Sequence, residues 1–106
     1  MAREIDVDAF ASARAEGAYV LDVREPDEYA AGHVPGARNV PVGKVGEQAA
    51  TLPESRPVYM ICQSGRRSMQ AADELLGRGV EAVSVAGGTN AWVASGRQVA
   101  TGPETA

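Results

Sequence analysis

Cysteine occurs once in this 106-residue chain, at Cys62, and histidine once, at His33. A single cysteine cannot close an internal disulfide, so a reducing, cytoplasmic setting is the expected compartment. One histidine and one cysteine do not make a closed zinc set, so no metal is expected. A Cys–His nucleophile pair would need His33 beside Cys62, yet His33 sits in the turn-rich stretch Gly32-His33-Val34-Pro35-Gly36, where a structural role is expected. Lysine is also single, Lys44 against nine arginines, a bias that points to a bacterial source with a GC-rich genome. Gly43-Lys44 lacks the upstream glycine and the following Ser/Thr of a phosphate-binding loop, which excludes that kind of nucleotide site. No apolar run approaches the roughly 20 residues that cross a bilayer, and Met1 to Asp6 carries no apolar core of a secretory signal. No membrane partner is expected.

With 44% hydrophobic and 23% charged residues, the composition is that of an ordinary globular chain, long enough for one core. One domain over 1–106 is expected, with a flexible tail at 101–106. The net charge of −4 argues against a nucleic-acid partner. Its distribution says more. Residues 1–55 carry five basic and ten acidic side chains, whereas residues 56–78 set Arg56, Arg66, Arg67 and Arg78 against Asp73 and Glu74. The one positive segment of an acidic chain is the segment that holds Cys62, which favours a small anionic ligand there.

Strand-like and helical stretches alternate. Asp6 is a candidate N-cap for a helix through Val7, Phe10 and Arg14, closed by Gly17. Tyr19 to Val23 reads as a buried strand, and Pro26 with its neighbouring acids starts a short helix. Arg38 to Pro41 is expected to be a short strand, Val45 to Leu52 a weak helix, and Pro57 to Ile61 a second clear strand. Met69, Ala72, Leu75 and Leu76 mark one face of a helix starting at Arg67 and stopped by Gly79. Ala82 to Val85 is a further strand, and Gly87-Gly88 turns into a short helix, Asn90 to Ala94. Such alternation predicts an α/β fold around a largely parallel sheet, whose ligands collect at the carboxyl ends of the strands.

Cys62 stands at such an end. The stretch Cys62-Gln63-Ser64-Gly65-Arg66-Arg67-Ser68 places a thiol between a strand and a helix N-terminus, where backbone N–H groups lack helical partners. Gly65 permits a turn that aims several amides at one point, and Arg67 supplies a permanent planar charge. These groups favour thiolate, the reactive form of cysteine, over thiol. The competing reading, a cysteine merely packed in the core, is weakened by all three features together.

The same seven residues resemble the Cys-x-x-Gly-x-Arg-Ser loop of rhodanese-like sulfurtransferases. Leu21-Asp22-Val23-Arg24, Glu28-Tyr29, Gly32 to Ala37 and Asn39-Val40-Pro41 resemble the family's first signature, and Val85 to Trp92 its C-terminal one. The resemblance implies a rhodanese-like fold, a five-stranded, mostly parallel sheet with helices on both faces. It implies Cys62 as the catalytic nucleophile, carrying a sulfane sulfur as a persulfide, with Gln63, Ser64, Gly65, Arg66, Arg67 and Ser68 binding substrate and no cofactor. The partners implied are a small anionic sulfur donor such as thiosulfate, a cyanide or thiol acceptor, and in some settings a sulfur-donor protein. A second reading is a sulfur carrier or interaction module loaded by a partner enzyme.

A cysteine phosphatase or arsenate reductase is the nearest other enzyme. Only four residues separate Cys62 from Arg67, one fewer than in a Cys-x5-Arg phosphate loop, and none of them is an acid able to protonate a leaving alcohol. Asp22 and Arg24 are expected to form a structural ion pair, Trp92 to pack in or near the core.

Overall fold

A computed structural model of the chain describes residues 1–105. Its elements in order are β1 (Arg3–Ile5), α1 (Val7–Ala15), β2 (Tyr19–Asp22), α2 (Pro26–Ala31), β3 (Arg38–Asn39), a 3₁₀ segment (Val42–Thr51), β4 (Val58–Ile61), α3 (Arg66–Leu76), β5 (Ala82–Val85) and α4 (Gly88–Ala94). The strands form one five-stranded sheet in the order β1-β5-β4-β2-β3, and every pair in it is parallel.

The alternation of side chains along a strand assigns the two faces. Leu21, Val58, Met60, Cys62 and Ala82 share a core with Ala71, Ala72 and Leu75 of α3 and Val45 of the 3₁₀ segment. Val20, Ile61 and Val85 pack on the other face against Phe10 of α1, Tyr29 of α2 and Trp92 of α4. Helices thus cover both faces, as parallel sheets require. The strand parity also puts Cys62 on the α3 side, one residue beyond the end of β4.

Some local expectations differ from the structure. β1 has no counterpart in the sequence reading: its three residues are mostly exposed, and it forms because Arg3, Glu4 and Ile5 pair in register with Val83, Ser84 and Val85. The stretch expected as a weak helix from Val45 is a 3₁₀ segment starting at Val42, with Val45 as its buried contact. α4 begins at Gly88 rather than Asn90. Residues 101–105, expected to be loose, run back over α2: Gly102 N–H donates to Ala30 O at 2.8 Å and Gly36 N–H to Thr105 O at 2.6 Å. Ala106 lies outside the described residues.

Candidate active site

β4 delivers Cys62 at the centre of the sheet, and the chain then turns through Gln63, Ser64 and Gly65 into α3. Gly65 is the N-cap of α3 and sits at φ 105°, a conformation open to glycine and strained for other residues. A Cβ there would also press to 3.2 Å from the Gly87 nitrogen. This turn directs amides toward the sulfur. Gly65 N–H donates to Cys62 Sγ at 3.1 Å, and the amides of Ser64 and Ser68 add to the stabilisation of its thiolate. The Ser68 hydroxyl lies 3.4 Å from Sγ and is fully buried. Burial pushes the Cys62 thiol up, but the Ser68 hydroxyl and the three amides outweigh it, and the net shift is downward, toward thiolate. Cys62 as a whole is only 1% exposed, so a reacting group must be small or must reach into the loop.

The carbonyls of the two residues that open the loop are held from the other side. Residues at the start of α4 do this. Thr89 donates to Cys62 O from its N–H (2.8 Å) and its hydroxyl (3.0 Å), and Asn90 N–H donates to Gln63 O at 3.0 Å. Gly88 makes the approach possible: at φ 56°, a Cβ on it would collide with the Cys62 carbonyl and come within 2.8 Å of Gln63 O. Gln63 is clamped from both ends, its Nε2 donating to Asn90 Oδ1 (2.5 Å) and its Oε1 accepting from Arg24 Nη1 (2.9 Å).

The charged residues near the loop are committed to one another. Arg24 and Asp22 form the expected ion pair at 2.8 Å, both buried, and Arg24 also donates to Gly32 O. Arg67 points both terminal nitrogens at Glu28 of α2, at 2.7 and 2.9 Å. Its guanidinium braces the loop against α2 instead of standing free to bind an anion. The Arg67 hydrogen bonds, outweighing the effect of partial burial, hold the Glu28 carboxyl down at about 2. Glu28 also accepts from Glu25 N–H as half of the capping box of α2. Arg66 and Ser64 are exposed on the rim.

Beside Gln63 lies a depression of about 310 Å³, lined by Arg24, Glu28 and Thr89 together with the exposed Val93 and Val99. A larger cleft of about 640 Å³ is walled by Arg14, Trp92 and Arg97 and touches no residue of the Cys62 loop. His33 is fully buried, stacked on Tyr29 with centroids 3.7 Å apart and bonded through Nδ1 to Tyr29 O. It belongs to the opposite core from Cys62. Trp92 is likewise core, donating its Nε1–H to Gln98 O.

The structure brings all seven residues of the sequence-predicted loop together. Sequence reasoning did not find Glu28 as the partner of Arg67, Thr89 and Asn90 as the clamps, or Ser84 behind Ser68. Glu28 and Thr89 do fall inside the two flanking signature blocks, which was the available signal.

Comparison with known proteins agrees with this geometry. A profile described as "Rhodanese-like domain" matches residues 6–95. Thiosulfate sulfurtransferase GlpE of Pseudomonas entomophila is 39% identical over 80 residues, covering 74% of this chain and 73% of GlpE. YrkF of Bacillus subtilis is 41% identical over 78 residues, and the matched part is 73% of this chain but only 42% of YrkF. A crystal structure of a rhodanese-related protein from Thermoplasma volcanium superposes with a TM-score of 0.85 at 30% identity, covering 96% of this chain and 99% of that one. By its sequence and by its fold, the chain belongs to the rhodanese-like domain family.

Proposed function

We propose that this protein is a sulfurtransferase that works through a Cys62 persulfide. The Cys62 thiolate attacks the outer sulfur of a donor such as thiosulfate. A new S–S bond forms as the bond to the sulfonate sulfur breaks, and sulfite departs with the bonding electron pair. A thiophilic acceptor, cyanide or a thiolate, then attacks the outer sulfur of the persulfide, and Cys62 leaves as thiolate. No general base is needed where the attacking group is the thiolate, the form that the loop favours. Fixed N–H dipoles at the loop suit both the thiolate and the terminal persulfide sulfur that replaces it as the negative atom.

The observation that carries this reading is the Gly65 N–H on Cys62 Sγ, reinforced by the Ser64 and Ser68 amides, in a loop whose Cys62 and Gln63 carbonyls are held by Thr89 and Asn90. Phosphatase chemistry fits less well. Glu28 is an acid near the loop, but Arg67 holds it ionised at about 2, so it has no proton for a leaving alkoxide.

A second reading, a carrier loaded by a partner protein, draws support from the rim. Arg24 and Arg67 are occupied by Asp22 and Glu28, which leaves Arg66 on the rim as the loop's remaining cation for a small dianion, while Val93 and Val99 offer apolar contact to something larger.

A donor panel separates the two. Thiosulfate, glutathione persulfide and a persulfide-bearing cysteine desulfurase are each mixed with the protein, and intact mass is followed. Gain of one sulfur from any donor, lost again on adding cyanide and absent in Cys62→Ser, supports transfer through Cys62. Loading from the desulfurase alone favours the carrier. No gain from any donor by the folded protein overturns both.

A further inference from the structure

Behind the sulfur lies a second hydroxyl that the proposed transfer does not use. Ser84 is on β5 and fully buried, and its side chain faces α3 because strand parity places it on the same side as Ala82. Its Oγ lies 2.8 Å from Ser68 Oγ, which in turn lies 3.4 Å from Cys62 Sγ. Among the described residues Ser68 is the only side-chain partner of the Ser84 hydroxyl. We propose that Ser84 is a positioning residue for Cys62: it donates to Ser68, and so fixes the Ser68 hydroxyl proton on the sulfur.

The argument is one of proton counting, and it rests on the persulfide reading only in taking the ionised sulfur as the working state. Two buried hydroxyls in series have two consistent directions. Running from Ser84 to Ser68 to sulfur, each hydroxyl proton meets an acceptor, and the chain ends on a thiolate, which only accepts. Running the other way, a protonated thiol donates to Ser68, Ser68 donates to Ser84, and among the described residues no other side chain accepts the buried Ser84 proton. Buried polar groups left unmade are costly, so the first direction is favoured and with it the ionised form of Cys62. Without Ser84, the Ser68 hydroxyl loses the donor that orients it, and it can accept from a thiol as readily as donate to a thiolate. The loop amides remain, so the effect is a partial one.

Other groups around the sulfur do not supply this bias. α3 contributes Arg67, which is engaged with Glu28 of α2, and the exposed Arg66. The β2–α2 connection contributes Arg24, engaged with Asp22. β5, Ala-Val-Ser-Val, has no ionisable side chain, so its polar contribution toward α3 is Ser84.

The test is the pH titration of Cys62, read from thiolate absorbance near 240 nm in the whole chain with Cys62→Ser as the blank. It needs no sulfur donor, so it stays readable if sulfur transfer fails. Ser84→Ala should move the titration to higher pH and lower the thiolate fraction at a fixed pH below the midpoint by about three- to fivefold, the scale of one hydrogen bond. Ser68→Ala, which removes the contact itself, should do more. The double variant should match Ser68→Ala alone, because Ser84 acts only through Ser68. Ser84→Ala titrating like the parent while remaining folded by circular dichroism overturns the proposal. So does a double variant in which the two shifts add. Purely structural packing by Ser84 would lower the melting temperature and leave the titration in place.

Discussion

Two sets of polar groups meet at the Cys62 loop. On the inner side are neutral dipoles: the amides of Ser64, Gly65 and Ser68 and the hydroxyls of Ser68 and Ser84, aimed at or toward one sulfur. On the outer side are full charges, Asp22 with Arg24 and Glu28 with Arg67, each cation spent on its own carboxylate. A formal charge facing the sulfur would hold a thiolate strongly but would also resist its release. Dipoles fixed by the backbone stabilise the charge wherever it sits on the sulfur chain and need no reorganisation as it moves. The charged pairs act as struts that fix the loop against β2 and α2. The expected division of labour is therefore that inner changes move the chemistry of Cys62, and outer changes move stability.

The most forceful way to break this comparison is Asp22→Ala. It leaves Arg24, 2% exposed, as an unpaired buried charge and should destabilise the fold by about 3–5 kcal/mol in a denaturant melt. In whatever fraction remains folded, the Cys62 titration should stay near that of the parent. A large shift there would mean that the outer charges reach the sulfur after all.

Gly88→Ala tests the inner side. Its methyl group would push on the Cys62 and Gln63 carbonyls, and the strained backbone adds to the overpacking, for about 1–3 kcal/mol of lost stability. Here the titration of Cys62 should rise as the peptide planes turn, and sulfur loading should fall with it. A stable Gly88→Ala protein with unchanged loading would show that the carbonyl clamps are dispensable.

Arg67→Gln should matter least for stability. The Arg67–Glu28 pair is about a third exposed on each side (34% and 32%), so its net worth is about 0–1 kcal/mol. Its pH dependence sharpens the contrast. Because Glu28 is depressed from 4.5 to about 2 in the fold, the pair's contribution is complete above the unfolded value and is lost as pH falls from about 4.5 through about 2. The difference in denaturation midpoint between parent and Glu28→Gln should accordingly be flat above pH 5 and vanish toward pH 2. A difference that persists at pH 2 would assign the stability to packing instead.

The inner side was largely legible in the sequence because it is local. Cysteine after an apolar strand, Gly65 three residues on and Ser68 opening a periodic helix all lie within seven residues, and backbone geometry follows from their order. The outer side was legible only as separate parts. Glu28 and Arg67 are 39 residues apart, and nothing in the periodicity of either helix says that α2 and the start of α3 meet. Ser84 was hidden for the same reason: a serine in a short strand looks like any other until β5 is seated beside β4 and under α3. β1 was invisible because its polar residues carry no hydrophobic pattern, and its strand state comes from pairing with β5. Among the helices, α3 was clear from its apolar face, whereas the 3₁₀ segment, with Val45 its only buried residue, was not.

The central claim is that inward dipoles, and not Arg24 or Arg67, shift Cys62 toward thiolate. The most direct measurement is the 240 nm titration of Cys62 in the charge-balanced double variant Glu28→Gln/Arg67→Gln beside the parent protein. The account predicts superimposable curves, with the thiolate still formed below the ordinary thiol range. A curve displaced upward to the ordinary cysteine value would contradict it and return the thiolate to Arg67.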